Sequence, residues 1–324
     1  MLYEARLVLR SPAIVVERRT ERGYVKPLGY IPGSTLRGAI LDALRAEGVL
    51  SLDDLRREAE SPSVLSSPAY PLVGGKRALP ASPFAAYCRE CGVVYDFAPV
   101  YARQGKLESI KCPVGRDHTL KPAYPGIVVY KRVAEGGVVV AEKAPIRTFR
   151  STSVGVSKRR GAFERGMLFD YEAVAEGTEF WAYVWAPFDL PGRLEVTVGR
   201  GASRGFGWAE LTLKAAGSAP FSASGLFVAL SPLVPLKKAS WGDCTLEVER
   251  VLGRTYRVLA GWDSFKRSPL PVVELVRQGA LVEGRVSCNR DPRAGIPVRL
   301  GGYWLTGVNA VVPFGEYLRG GGVG

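Results

Sequence analysis

The chain has 324 residues, with 44 Lys and Arg against 31 Asp and Glu, a formal net charge of +13 at pH 7 with the single histidine neutral. Hydrophobic residues at 47% and charged residues at 23% form a globular composition, and no apolar run reaches the roughly 18 residues that mark a membrane-spanning helix. The excess of positive charge speaks about partners: nucleic acid, an acidic membrane surface or an acidic protein would answer it, as would a generally basic surface.

The amides are confined to Asn289, Asn309, Gln104 and Gln278. Such scarcity of thermolabile side chains suggests a hot-environment, thermophile source.

In chain order, MLYEARLVLR alternates as a strand over 2–9, with Leu2, Ala5, Leu7 and Leu9 as its buried set. It lacks the apolar core of a signal peptide, so a soluble, cytoplasmic protein is expected. In YIPGSTLRGAILDALRAEG (30–48), Leu36, Ile40, Ala43 and Leu44 recur at helical spacing. Ser34 or Thr35 can cap its start and Gly48 its end. SLDDLRREAE (51–60) reads as a second short helix with Asp53 and Asp54 in its first turn.

Residues 61–126 are rich in Pro, Gly and Ser and read as an insertion unable to build a core of its own. Strands return at 127–133 and 137–142, joined across a glycine-containing turn. GMLFDYEAVA and EFWAYVWA, separated by EGT, predict a second hairpin. RLEVTVG and FGWAELTL flank a glycine-rich loop, and KAAGSAPFSA (214–223) reads as a small-residue linker. Beyond it, LFVALSPLVPL, TLEVERVL, RTYRVLAGW, LVEGRVS and PVRLGGYWLTG predict a second, mostly β domain.

Cys88, Cys91, Cys112 and His118 are spaced C-x2-C, twenty residues, then C-x5-H. Three sulfurs and one nitrogen in two knuckles suit a tetrahedral structural Zn2+, with Pro113 and Gly115 supplying turn chemistry. Four protein ligands leave no open position for water, so the metal would hold the insertion together and not catalyse. The alternative is one disulfide beside an incidental histidine. Cys244 and Cys288 read as buried apolar residues, with a bridge between them also open.

Three basic, glycine-containing stretches are candidate anion sites. In VGRGASRGFG, Gly199, Gly201, Gly205 and Gly207 would let backbone approach a phosphate, while Arg200, Ser203 and Arg204 supply charge and a hydroxyl. Arg204 could instead pack over Phe206 or Trp208. Gly33, Ser34 and Arg37 sit at a helix start, where the dipole favours an anion, or belong to an ordinary helix end with one exposed arginine. From Pro145 to Phe163 there is no acidic residue, whereas Arg147, Arg150, Lys158, Arg159 and Arg160 are basic. This reads as a flexible basic arm, with Phe149 and Phe163 available to stack on bases, or as a solvated loop.

IPGSTLRGAI after a first strand, with GRGASRGFG closing the same domain, resembles the RAMP superfamily of CRISPR-associated proteins. APIRTFRSTSVGVSKRRGAFERGMLFDYEAV resembles a segment of the family's type III members, and AGWDSFKRSPLPVVELVRQGALVEGRV is similar to a C-terminal module. The resemblance implies an α+β fold: a ferredoxin-like (RRM-like) RAMP domain over 1–218 with a zinc-knuckle insertion at about 61–126. A second, smaller, mostly β RAMP-like domain would span 219–324. PFDLPGRLEVTVG leaves little room for a second helix before the glycine-rich loop.

What the resemblance implies for function is a crRNA-binding subunit of a type III (III-D-like) effector complex in antiviral defence. It would hold the 5′ handle of the guide beside a large subunit and backbone RAMP subunits, with no membrane partner. Acid–base RNA cleavage favours a histidine; the only one is assigned to the metal set, and Asp170 and Tyr171 lack a surrounding pattern. A non-catalytic role is therefore expected. The alternatives are a repeat-RNA processing endoribonuclease, a repeating backbone subunit on the same fold, and an unrelated zinc-stabilised DNA-binding protein.

Overall fold

The computed structural model describes all residues except 20–24, 108, 116, 157–162, 218, 260, 264–267 and 323–324. For 17–19, 25–26, 151, 153–156, 163–170 and 263 it describes the backbone alone. Alternation over 2–9 is realised as the strand Leu2–Leu9, in the middle of a seven-stranded sheet. The strand order is Arg193–Thr197, Trp208–Gly217, Leu2–Leu9, Glu179–Trp185, Tyr70–Val73 and Lys76–Arg77, with Leu65–Ser66 also pairing Glu179–Trp185. Every pairing is antiparallel, and Ala5 stands opposite Ala182 on one side and Leu213 on the other.

The period of two gives this sheet two buried faces. Tyr3, Ala5, Leu7 and Leu9 pack with Phe180 and Val184 against the helix Gly33–Ala46, through Leu36, Ile40 and Leu44. Leu2, Trp181 and Tyr183 face the other way, onto a core shared with Tyr70, Tyr130, Leu230 and Tyr317. The sheet thus joins the helix layer to the rest of the chain.

The helix starts differently from its predicted cap. Gly33 is its first residue, Pro32 holds the N-cap position, and no side chain caps it, so Ser34 and Thr35 lie within the first turn. Gly33 is buried, and a Cβ there would lie 2.4 Å from the Ser66 carbonyl oxygen and 2.9 Å from the Gly307 Cα, so the close approach of these segments leaves no room for a side chain. The second helix, Leu52–Glu60, is capped by Ser51, with Asp54 completing a reciprocal capping box.

Residues 61–126 share a core with the strands C-terminal to them, against expectation. Leu79–Pro80, Ala85–Cys88, Val94–Asp96 and Leu120–Pro122 form a six-stranded sheet with Ile127–Val133 and Val139–Lys143. Val94, Val128, Tyr130 and Val139 bury together there. Buried Asp96 accepts from Ser82 Oγ (2.6 Å), Tyr130 Oη (2.5 Å) and the Ala98 amide (2.9 Å). Burial pushes its carboxyl pKa up, and these donors hold it back.

The second predicted hairpin does not form. Phe163–Val174 pairs with Thr148–Val156, whereas Glu179–Trp185 pairs with Leu2–Leu9. Gly177, inside the supposed turn, donates its amide to Leu9 O (2.9 Å) and sends the chain into the central sheet. The basic arm is accordingly a strand over Thr148–Val156, in a four-stranded sheet with Phe163–Val174, Val25–Pro27 and Val16–Arg19.

The small-residue linker is strand as well. Trp208–Gly217 and Phe221–Ala229 run through most of 214–223. Phe221–Ala229 enters a five-stranded sheet ordered Lys238–Trp241, Cys244–Leu252, Leu281–Cys288, Phe221–Ala229 and Val311–Pro313. Cys244 and Cys288, at the ends of adjacent strands, are joined by a disulfide with their Cα atoms 4.0 Å apart. The short helix Phe314–Gly320 returns to the shared core through Tyr317.

Candidate nucleic-acid interface and metal centre

Pairing of Leu120 with Cys88 lays the second knuckle over the C-x2-C turn. His118 Nδ1 lies 3.3 Å from the Sγ atoms of both Cys91 and Cys112 and 3.6 Å from that of Cys88, and Cys91 and Cys112 Sγ are 3.6 Å apart. All four ligand atoms fall within 4.8 Å of one another, a set that could hold a metal ion. A Cβ on Gly115 would lie 2.5 Å from His118 Nε2, so the bare backbone there makes room for the imidazole. The Cys91 amide donates to Cys88 Sγ at 3.4 Å.

The thiols are electrostatically unlike. Burial pushes Cys88 up to about 11. Burial acts on Cys112 in the same sense, but the Val114 and Gly115 amides with Cys91 and His118 bring it down to about 6. Such amides favour the thiolate, the form that ligates metal.

In the glycine-rich loop, Gly199, Gly201, Gly205 and Gly207 have φ between +81° and +84°. Two of them also sit where no side chain fits: a Cβ on Gly199 would lie 2.4 Å from Ile14 O, and one on Gly207 2.1 Å from Val198 O. The loop is tied to the 12–14 segment by Arg200 N to Ile14 O and Gly207 N to Pro12 O, both 2.9 Å. The amides of Arg204, Gly205 and Phe206 are used within the loop. Among the described residues, those of Gly201, Ala202 and Ser203 have no protein acceptor. Successive free amides of this kind form a concave donor surface suited to an anion.

Arg200, Ser203 and Arg204 are exposed. The Arg204 guanidinium carbon stands 4.7 Å from the Tyr171 ring centre and 5.8 Å from that of Phe206, so its aromatic partners are Tyr171 and Phe206, and it stays at the surface. Ile14, Ala173, Tyr171 and Phe206 form a small apolar cluster beneath. Loop and basic strand pair are thereby brought together. Arg147 and Arg150 are exposed on that strand pair's approach, as is Phe149, and Arg150 stands opposite Glu172 in register. Lys158, Arg159 and Arg160 lie outside the described residues, as do the side chains of Phe163 and Asp170.

At the helix start only Ser34 is exposed. Arg37 turns inward. Its Nε donates to Val64 O (2.7 Å), and one Nη2 donates to Glu58 O (3.0 Å) and Glu58 Oε2 (2.6 Å). Burial lowers the guanidinium pKa, and Glu58 opposes that shift. The sequence reading missed Tyr171 as the Arg204 platform and Gly307 as the residue against the helix start. The first lies on a remote strand and the second about 270 residues downstream, so no local pattern announced either.

Residues 12–210, more than half of the chain, match the RAMP superfamily. The chain belongs to that superfamily. The match runs from the segment that anchors the glycine-rich loop to the strand just after it, so the RAMP region contains the cysteine–histidine set, the basic strand pair and the loop. No curated protein matches. A chain in the cryo-EM structure of the type III-B Cmr-beta complex bound to cognate target RNA is similar in fold: TM-score 0.50 and 12% identity over 86% of each chain. A chain of the Csm1–Csm4 cassette in complex with cA3 aligns over 96% of this chain and 97% of its own, at 14% identity and a TM-score of 0.35.

Proposed function

We propose that this RAMP-superfamily chain is a non-catalytic crRNA-binding subunit of a type III CRISPR effector complex that holds the 5′ handle of the guide. The observation that carries the reading is the loop: free amides at Gly201, Ala202 and Ser203, flanked by exposed Arg200 and Arg204, beside a strand pair that bears Arg150 and is preceded by Arg147. Backbone donors and arginines bind phosphate and fix the position of a strand without reading its sequence. The fold it shares with a chain of an RNA-bound type III-B complex supports this setting. The partners would be crRNA, a large subunit and backbone RAMP subunits, in the cytoplasm.

The central strand order Trp208–Gly217, Leu2–Leu9, Glu179–Trp185, Tyr70–Val73 supports a ferredoxin-like module, with the edge strand Arg193–Thr197 taking the place of a second helix in chain order. The two-domain division at about 218 remains part of this proposal. The Cys88, Cys91, Cys112 and His118 set suits structural Zn2+. Tetrahedral bonds of about 2.3 Å to sulfur and about 2.0 Å to nitrogen put sulfurs about 3.8 Å apart and sulfur about 3.5 Å from nitrogen. The separations of 3.3–3.6 Å fit that shell. Bound there, zinc would pin the two knuckles, and the sole histidine would be unavailable for acid–base cleavage.

The test is binding of short single-stranded RNA by the parent, Arg200→Ala and Arg204→Ala proteins across a salt series. If about six phosphates are contacted, log K falls with log salt at a slope near about −4 for the parent, and each variant binds more weakly with a shallower slope. Unchanged affinity in both would remove the loop from the interface. On a denaturing gel, repeat RNA is expected intact; discrete fragments from the parent would make the chain an endoribonuclease instead.

A further inference from the structure

A cavity of about 260 Å³ opens where the central sheet, the Lys76–Arg77 strand, the Pro292–Ala294 turn and the C-terminal helix meet. Its floor is Trp181 and Tyr183. Tyr183 is 6% exposed, and its hydroxyl oxygen accepts from Arg77 Nη1 (3.1 Å) and Arg293 Nη1 (3.3 Å). The guanidinium carbon of Arg77 lies 4.9 Å from the Trp181 ring centre, and that of Arg293 lies 4.6 Å from the Tyr183 ring centre.

Two donors occupy the lone pairs of that oxygen, so the hydroxyl proton is left to donate. Among the described residues it has no acceptor. Arg77 is paired with Glu4 (2.9 Å) and Arg293 with Asp291 (2.5 Å), and these ion pairs hold both guanidiniums in place. On the helix side, Arg319 and Glu316 line the cavity, and neither has an ion-pair partner among the described residues.

The wall therefore asks for three things of one ligand. An acceptor or anion would satisfy the Tyr183 proton and Arg319. A donor would satisfy the Glu316 carboxylate. A flat ring would lie against the guanidinium planes of Arg77 and Arg293, which Trp181 and Tyr183 back from behind. The volume is below the roughly 300–1,000 Å³ of sites for drug-sized ligands, so only a small molecule or a single residue of a polymer enters.

We propose that this cavity binds one nucleotide unit, with its phosphate toward Arg319 and Tyr183 and a ring N–H or amino group toward Glu316. The site stands apart from the glycine-rich loop. Glu4 marks the cavity on the central strand, and Leu9, opposite Ala209, marks the loop end. Five residues at about 3.4 Å each separate them by about 17 Å. The proposal goes beyond handle binding and does not depend on it.

The experiment is calorimetric titration of the full chain with AMP, GMP, CMP and UMP, and with inorganic phosphate and adenosine as partial ligands. At least one mononucleotide is expected to bind one to one, with phosphate and nucleoside at least about tenfold weaker. Tyr183→Phe, which keeps the ring and removes the proton, and Arg319→Gln, on an exposed side chain, are each expected to weaken binding about tenfold with the circular dichroism spectrum unchanged. No binding of any of the four by folded protein, or phosphate alone binding as tightly, would overturn the proposal. So would unchanged binding by both variants. Displacement of the mononucleotide by a short single-stranded RNA would assign the cavity to a residue of a bound strand, and persistence in its presence would assign it to a free nucleotide. A failure of guide binding at the loop would leave these results untouched.

Discussion

Arg37 separates two accounts of the first helix: a phosphate contact at its start, or a clamp between the two helices. Its side chain is 13% exposed and that of Glu58 is 7% exposed, with 2.6 Å between them. Removing one partner of a buried pair costs about 3–5 kcal/mol, because the other charge stays buried and unpaired. The two truncations differ within that range. Arg37→Ala leaves the Glu58 carboxylate with amide donors at Ser63 (3.0 Å) and Val64 (3.2 Å), so its cost falls near about 3 kcal/mol. Glu58→Ala leaves the guanidinium with only the carbonyl oxygens of Val64 and residue 58, so its cost approaches about 5 kcal/mol. Urea denaturation of parent and variants reads these differences from the shift in midpoint at constant m. RNA affinity of Arg37→Ala, measured where the variant is folded, should equal that of the parent. An Arg37→Ala protein within about 0.5 kcal/mol of parent stability, the range of ordinary surface changes, would refute the reasoning. So would a tenfold loss of RNA affinity in the folded variant.

Three further outcomes are expected. Ala at Gly205 should cost about 1–2 kcal/mol for the left-handed backbone alone, and Ala at Gly207 should cost more, since its Cβ would lie 2.1 Å from Val198 O; equal thermal shifts would contradict the packing of this loop. Chelator treatment, or Cys112→Ser, should lower the melting temperature and remove one metal equivalent by elemental analysis, whereas a metal-free protein of full stability would contradict the zinc assignment. Reducing the Cys244–Cys288 bridge, which spans 44 residues, should cost about 4 kcal/mol on the chain-entropy estimate. A titration showing two newly free thiols without a shift in stability would count against it.

What could be read from sequence was what local spacing encodes. The first strand is evident from its alternation, and the first helix from Leu36, Ile40 and Leu44 recurring on one face. The convergence of Cys88, Cys91, Cys112 and His118 was legible because two close-spaced knuckles and the sole histidine lie within about thirty residues. Arg37 was misdirected because its partner Glu58 is on the next helix, and helix position alone does not say which neighbour a long cation meets. EGT at 176–178 looks like a hairpin turn, yet the partner of Glu179–Trp185 is the strand Leu2–Leu9, some 170 residues earlier. Small residues concealed the strands across 214–223, since much of that stretch is exposed and no apolar alternation marks it. The nucleotide cavity draws Arg77, Tyr183, Arg293 and Arg319 from four distant segments. Only the assembled fold converges them.

Guide-handle binding is tested most directly by isolating the tagged chain from its native host and sequencing the RNA that accompanies it. The account predicts short RNAs that share one 5′ segment and diverge beyond it, recovered together with partner proteins. Random RNA, or none, from a chain that purifies alone would contradict it.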